Sequence, residues 1–195
     1  MYLWVILASI LVALLRGGRI GRLRTLPFRM GGLVVLAFLL RAALGQAANF
    51  DLSLPDAVVW LVQAASYGLL LAAVIINRQV AGVPTLGVGV LANAVAILAN
   101  GGRMPVSPAA AAAMGQQAAF ERLAAGGGSY LHQAMADDTR FSFLSDILPS
   151  PSWLSGSHVY SIGDLFILVG LFILVQHVML RSPAVPADRP GAGVS

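Results

Sequence analysis

The chain lacks two residue types entirely and is poor in charge. None of its 195 residues is cysteine, which excludes disulfides, thiolate metal sites and thiol nucleophiles. Lysine is absent as well, so all 12 basic residues are arginine. Charged residues make up 10% of the chain, whereas soluble domains contain about 25%. Because so few charges cannot cover a water-facing surface, lipid must replace water over most of the protein.

The sequence also lacks the common motifs of enzymes. It contains no Gly-x-Ser-x-Gly, no His-Glu-x-x-His and no glycine-rich phosphate loop after a strand. Residue types that bind metals occur late in the chain, but their spacing matches no established motif: His132, Asp137, Asp138, Asp146 and His158. We therefore expect no metal and no cofactor. Catalysis by Asp164 with Arg41 or His132 is the least favoured hypothesis.

Five apolar segments dominate the sequence, whose mean hydropathy is +0.82. They are Met1–Leu15, Gly31–Ala48, Ala57–Asn77, Thr85–Ala99 and Asp164–Leu180. A membrane-spanning helix needs about 20 apolar residues, so the first and fourth segments are short for a full span. The sequence predicts an all-α integral membrane bundle of about five transmembrane helices. Residues 1–180 form this domain, and residues 181–195 form a disordered cytoplasmic tail.

The distribution of arginine predicts the orientation. Five arginines separate the first two segments: Arg16, Arg19, Arg22, Arg24 and Arg29. Under the positive-inside rule this loop is cytoplasmic, which places the N-terminus outside and the C-terminus inside. The later connections agree, with acids on the outer side (Asp51, Asp56) and arginines on the inner side (Arg78, Arg181, Arg189). Topology therefore explains the net charge of +4, and we expect no nucleic-acid partner.

The first segment is predicted to stay in the mature chain. Its positive charges follow the apolar stretch, whereas in a secretory signal they precede it. This order is typical of a reverse anchor.

The long connection over residues 100–158 is predicted to form a short-helical extracytoplasmic cap. Its predicted helices cover Ser107–Ala125, Ser129–Ala136 and Thr139–Leu148. Apolar side chains favour a cap that lies on the bundle or on the membrane interface: Phe120, Tyr130, Leu131, Phe141, Phe143, Leu144, Trp153 and Leu154.

Several short runs occur in a distinctive order. They are Leu-Arg-Gly-Gly-Arg from Leu15, Asn-Gly-Gly-Arg-Met-Pro-Val from Asn100, Asp-Thr-Arg from Asp138, and Ser-Ile-Gly-Asp from Ser161. The chain thereby resembles a family of small bacterial multi-pass membrane proteins known as a domain of unknown function. The resemblance extends to about Leu180. It implies about five helices and a place in the bacterial inner membrane, and it implies no activity.

Arg41 is the most unusual residue, because it lies within the second apolar segment. An arginine at the centre of a membrane costs about 2.5–3.5 kcal/mol on insertion scales, so it should be paired, snorkel to headgroups or face a polar cavity. Asp164, near the outer end of the last segment, is the natural partner. Asp164 also fits a capping box with Ser161, and Asp56 fits a second one with Ser53.

Two asparagines share one face of the fourth segment. Asn93 and Asn100 are seven residues apart, with Gly89 and Ala96 on the same side. This face is either a polar lining for a headgroup or substrate, or a seam for close helix packing. The facing partners on the third segment would be Gln63 and Ser66.

The run from Asn100 to Pro105 predicts a helix end, with glycine just past the helix and proline beyond. Arg103 follows that end and could bind a lipid phosphate or a carboxylate. The candidate binding residues are Arg41, Asn93, Asn100, Arg103 and Asp164. They favour a binding or transport protein for an anionic lipid or small anion near the outer leaflet, with membrane lipids as partners. The alternative is a non-catalytic accessory subunit that binds another membrane protein.

Overall fold

The computed structural model describes residues 2–50, 52–127, 129–150 and 158–181. Expectations for Asp51, Trp153, Leu154, Arg189 and the tail beyond Arg181 lie outside these residues. The described part is mostly helical. Its α-helices are α1 (Tyr2–Leu15), α2 (Gly31–Asn49), α3 (Asp56–Ile76), α4 (Val83–Ala99), α5 (Pro108–Ala113), α6 (Gln117–Ala124) and α7 (Ile162–Leu180).

Each of the five apolar segments forms one helix. Three helices, α2, α3 and α7, are long and apolar enough to cross a membrane, at 19, 21 and 19 residues. The other two, α1 and α4, are shorter, at 14 and 17 residues. The helix α2 buries 17% of its apolar window and α3 28%, and large side chains on them such as Phe38, Leu39 and Leu61 remain exposed. An all-round apolar helix with exposed large side chains is typical of lipid contact.

The five long helices pack side by side in the order α2, α3, α4, α7, α1. The first and last helices of the chain are therefore neighbours and run parallel. Near their starts the Tyr2 hydroxyl donates to Asp164 at 2.8 Å. Beyond their far ends the Arg19 amide donates to the Met179 carbonyl at 3.1 Å. Since α1 accompanies α7 along most of its length, the two helices cover nearly the same depth.

Glycines allow α4 and α7 to approach closely. A Cβ on Gly89 would lie 2.8 Å from the amide nitrogen of Ile167, and one on Gly170 would lie 2.5 Å from that of Leu86. Both distances are shorter than real carbon–nitrogen contacts of this kind, so a side chain at either position would push the helices apart. The small-residue face predicted on the fourth segment therefore contains a packing seam, in which Gly89 and Asn93 meet α7.

The arginine-rich connection between α1 and α2 is folded onto the bundle. It contains a 3-10 helix, Ile20–Thr25. The Arg29 amide donates to Asn77 Oδ1 at 2.7 Å, and Asn77 Nδ2 donates back to the Arg29 carbonyl at 2.9 Å. The Arg22 guanidinium donates to the Met179 carbonyl at 2.8 Å. These bonds satisfy polar groups at the C-terminal ends of α3 and α7, which helices otherwise leave without partners.

The cap contains two small sheets that the sequence did not predict. Strand β1 (Met104–Val106) pairs in parallel with β2 (His132–Ala134), and β3 (Leu148–Pro149) pairs antiparallel with β4 (Val159–Tyr160). The predicted helix Ser129–Ala136 is therefore wrong. The backbone of this segment instead forms hydrogen bonds with the buried backbone of β1, as in the bond from the Met104 amide to the Leu131 carbonyl at 2.8 Å.

The other two predicted cap helices are shorter than expected. The helix predicted over Ser107–Ala125 is divided into α5 and α6, because Gly115 adopts a left-handed conformation at φ +65°. Ser107 caps α5 as predicted, accepting from the Ala110 amide. The helix predicted over Thr139–Leu148 is wrong except for a 3-10 turn, Ser142–Leu144.

Candidate functional site

Arg41 is held by neutral groups. Its Nη1 donates to Gln63 Oε1 on α3 at 2.7 Å, and the guanidinium carbon lies 5.0 Å from the ring centre of Tyr67. Gln63 is fully buried, and its Nε2 has no hydrogen-bond partner. Within the described ranges no carboxylate forms an ion pair with Arg41. Among the described residues, the contacts of the guanidinium are thus an amide oxygen and an aromatic face.

The predicted pair between Arg41 and Asp164 is wrong. The order of the helices explains this, because α3 and α4 lie between α2 and α7. The sequence places both residues at a comparable depth but contains no direct sign of which helices are neighbours.

Asp164 instead caps α7 and joins three helices. The predicted capping box is confirmed, with the Asp164 amide donating to Ser161 Oγ and the Ser161 amide donating to Asp164 Oδ2, both at 3.0 Å. Oδ1 accepts from Asn93 Nδ2 on α4 at 3.1 Å, in addition to Tyr2. The Ser161 hydroxyl in turn donates to Asn93 Oδ1 at 2.8 Å. The polar groups of Asn93 and Asp164 are therefore used within the protein.

Arg103 has a carboxylate partner from the chain itself. Its Nη2 lies 2.8 Å from Asp56 Oδ1, and its guanidinium carbon lies 5.8 Å from the ring centre of Tyr130. The second predicted capping box is wrong, because α3 begins at Asp56 with Pro55 as its N-cap and no side-chain cap. A negative charge in the first turn still favours the helix N-terminus. Asp56 therefore stabilises the N-terminus of α3 by its negative charge and also forms the ion pair with Arg103.

Asn100 fastens the cap to the end of α4. Its Nδ2 donates to the Ala96 carbonyl at 2.7 Å and to the Arg140 carbonyl at 2.8 Å, and its Oδ1 accepts from the Arg140 amide at 2.9 Å. The predicted helix end is also found. Gly101 and Gly102 have φ values of +70° and +83°, and the Gly102 amide donates to the Ile97 carbonyl.

A polar cavity of about 530 Å³ lies between the cap and the α2–α3 connection. Its lining includes Ala48, Asp56, Arg103, Ser129, Tyr130 and His132. Ala48 is seven residues beyond Arg41, hence two turns along the same face of α2. Burial lowers the pKa of His132, and the positive charge of Arg41 lowers it further. The cavity therefore lies toward the C-terminal end of α2, beyond Arg41. Arg41 is not part of its lining, but the charge of Arg41 acts on His132 in the cavity wall.

A second cavity, of about 330 Å³, lies inside the cap and shares His132 with the first. Asp146, His158 and Arg122 also line it. His132 Nε2 is 3.9 Å from Asp146 Oδ2. Burial, and to a lesser degree the charge of Asp164, raises the pKa of Asp146 to about 7. Among the described residues no group of three or more histidines and acids is placed to hold a metal.

Sequence reasoning missed two neighbours of Arg41. The sequence predicts Gln63 only as a partner for the asparagines of the fourth segment, and it predicts no role for Tyr67. The available signal was their spacing, since they are four residues apart in an otherwise apolar segment and so share one helix face. Sequence reasoning also missed the contact between His132 and Asp146, because the two residues lie in segments that were predicted to form separate helices.

The sequence profile of a family of unknown function (DUF5317) matches residues 25–176. The matched range contains all five candidate binding residues. No curated protein and no solved structure matches the chain.

Proposed function

The chain belongs to this family of unknown function, and we propose that it binds an anionic group, a lipid headgroup or a small anion, at Arg41. The observation that carries the proposal is the charge of Arg41 in an apolar helix, with Gln63 and Tyr67 as its neutral partners. Charges within membranes pair or mark a ligand site, because an isolated charge is costly there. A phosphate or carboxylate would supply the missing countercharge.

The chemistry of the guanidinium fits such a ligand. Arginine presents five N–H donors in a planar fork that matches the oxygens of phosphate and carboxylate. One Nη1 donor is engaged by Gln63, which fixes the orientation of the fork. The unpartnered Nε2 of Gln63 provides one more donor beside it. The cavity lined by Ala48 and His132, about two turns further along α2, provides space for a headgroup near this end of the helix.

Arg41 is favoured over the other predicted binding residues because those residues have partners of their own. Arg103 is paired with Asp56, and Asn100 holds the backbone of Arg140. Asn93 and Asp164 belong to the cap of α7. We propose that these four residues support the fold around the site and that Arg41 contacts the ligand.

We further propose that all five long helices cross the inner membrane of a bacterial cell, with the N-terminus outside and the C-terminus inside. The match in depth between α1 and α7 supports a span for α1 despite its 14 residues. The antiparallel seam with α7 supports the same for α4. The arginines gathered between α1 and α2 support the orientation.

Native mass spectrometry of the protein released gently from its own membrane tests the proposed site. We expect a discrete added mass on the wild-type protein, and we expect Arg41→Gln to lose it. Arg140→Gln is the matched control, because it removes the same charge from the exposed surface of the cap and should retain the mass. The value of the mass distinguishes a lipid from a small anion.

Two results would contradict the proposal. One is a wild-type protein that carries no added mass under conditions that preserve lipid contacts. The other is an Arg41→Gln variant that retains the ligand as fully as Arg140→Gln does. A thermal unfolding curve for each variant separates the loss of ligand from the loss of fold.

A further inference from the structure

A third cavity, of about 390 Å³, lies at the opposite end of the bundle from Arg41. Its polar lining consists of Arg16, Gln176, His177 and Arg181, and its apolar lining includes Ile173 and Leu180. We propose that it binds the phosphate group of an anionic membrane lipid. The site is independent of the proposed function, because it shares no residue with the outer cavity.

Arg16 is positioned for this role by a buried amide. Its Nη1 donates to Gln176 Oε1 at 3.0 Å. Gln176 Nε2 donates to the carbonyl of Ser9 at 2.6 Å and to its hydroxyl at 3.2 Å, so the orientation of the amide is fixed from both sides. Arg16 itself is exposed, and only one of its donors is engaged by Gln176. Its remaining donors are available to a ligand.

Two further basic side chains line the same cavity from α7 and its end. His177 and Arg181 are four residues apart, a spacing that places them on one side of the helix. In the described part of the chain neither side chain forms a hydrogen bond or an ion pair with protein groups. Two guanidinium groups and an imidazole therefore border one cavity, and no carboxylate among the described residues lines it.

The surrounding sequence strengthens the positive field. Residues 16–30 and 77–82 contain no aspartate or glutamate, and they carry Arg16, Arg19, Arg22, Arg24, Arg29 and Arg78. Basic clusters next to a membrane attract anionic lipids, and basic pockets between helices bind their headgroups. The charge at this end of the bundle therefore selects an anion.

The apolar wall selects a lipid over a free anion. Ile173 lies on α7 within the apolar bundle and is 38% exposed, and Leu180 and Ala81 continue the wall toward the arginines. An acyl chain can lie along this wall while the phosphate meets Arg16 and Arg181. Inorganic phosphate would leave the apolar part of the cavity unused.

Lipid titration of the detergent-purified full-length protein, followed by native mass spectrometry, tests the site. The probes are phosphatidylglycerol, phosphatidylcholine with the same acyl chains, and inorganic phosphate. We expect one phosphatidylglycerol to bind in preference to phosphatidylcholine, and we expect Arg16→Gln with Arg181→Gln to weaken its binding by about tenfold or more. The control pair, Arg24→Gln with Arg78→Gln, removes equal charge from the same end but from residues outside the cavity lining, and it should weaken binding clearly less than the site pair does.

Each variant pair is also made together with Arg41→Gln, so that loss of lipid here is distinguishable from loss at the outer site. The single variant Arg181→Gln, which removes no described side-chain contact, keeps the test valid if the double variant does not fold. Equal weakening by the control pair would overturn the proposal, because the attraction would then be diffuse. Equal binding of phosphatidylcholine, or equally tight binding of inorganic phosphate, would also overturn it.

Discussion

Ser161 shows how one small polar residue joins two helices in this bundle. Its hydroxyl accepts from the Asp164 amide at the start of α7 and donates to Asn93 Oδ1 on α4. Ser161 is fully buried, so neither group can find water if the hydroxyl is removed. An unpartnered buried polar group costs about 1–3 kcal/mol.

We therefore expect Ser161→Ala to lower the free energy of unfolding by roughly 1–3 kcal/mol, as the sum of a lost N-cap and an orphaned amide oxygen. Unfolding in mixed micelles, followed by circular dichroism, measures the change. Ser142→Ala on the exposed 3-10 turn is the control, and it should stay within about 0.5 kcal/mol of wild type. Equal stability of the two variants would show that the cap does not hold α7 in place.

Asp146 makes the cap sensitive to pH. Its pKa is about 7 in the folded protein, against about 4 in an unfolded chain. Between these values the folded protein holds a proton that the unfolded chain has released. Folding stability therefore falls as pH rises from about 4 to 7, and the loss is complete above about 7. The lowered pKa of His132 acts in the opposite sense, because it favours the folded state as pH rises toward 6.5.

The comparison of wild type with Asp146→Asn removes the titrating carboxyl group and keeps His132, so its pH dependence reports the carboxyl group together with its interaction with His132 at 3.9 Å. We expect the variant to gain stability relative to wild type between pH 5 and pH 8, by about 3 kcal/mol, because about two pH units of this interval lie below the folded-state pKa of about 7. Unfolding curves at the two pH values measure this difference. A difference that does not change with pH would mean that Asp146 titrates in its ordinary range.

Arg41 also shows which contacts of a single residue cannot be predicted from the sequence. Its cost in a membrane predicts that it needs a partner, and this much follows from hydropathy alone. The identity of that partner depends on which helices are neighbours. The capping box at Ser161 was predictable, because all of its atoms lie within four consecutive residues.

Among the elements, the contact of α4 with α7 depends on glycine. Gly89 lies against the backbone of Ile167, and Gly163 lies against Asn93. Small residues let membrane helices approach closely, where packing and not the hydrophobic effect provides the attraction. A larger side chain in this seam would separate the helices and pull Asn93 away from Asp164.

We expect Gly89→Val to prevent stable folding or to lower the free energy of unfolding by several kcal/mol, roughly 3 or more. Gly68→Ala is the matched control in a helix of similar hydropathy, because a Cβ at Gly68 meets nothing within 4 Å. It should be neutral or stabilising by up to about 1 kcal/mol. The yield of folded protein after extraction in detergent and the temperature of thermal unfolding are measured for both variants. A stable, wild-type-like Gly89→Val would show that the seam is not close-packed.

The helices and the cap differ in how far the sequence determines them. The long apolar segments predicted α1, α2, α3, α4 and α7 with ends within about two residues, because hydropathy is a local property. The cap strands contain two or three residues each, which is too short for a pattern. Their pairing is between segments far apart, such as Met104 with His132, and such pairing is not encoded in either segment alone.

At the scale of the whole molecule, the absence of cysteine allows a direct test of the topology. Single cysteines at Ala136 in the cap and at Gln79 after α3 lie on opposite sides of the membrane in the proposed arrangement, and both positions are exposed. We expect a membrane-impermeant maleimide to label Ala136→Cys in intact cells and to label Gln79→Cys only after lysis. The reverse pattern would invert the orientation, and equal labelling of both would contradict an odd number of crossings between them.

The pairing of α1 with α7 has a consequence for how the protein is made. Ser9 on α1 bonds to Gln176 and to the carbonyl of Phe172 on α7, across more than 160 residues of chain. In the proposed topology α1 enters the membrane before α7, because α7 is translated more than 140 residues later. In that topology the hydroxyl of Ser9 lacks its contacts with α7 until α7 is inserted. The proposed topology therefore implies that assembly of this helix pair is completed only when α7 is inserted, and a chain that ends before α7 leaves Ser9 without these hydrogen bonds.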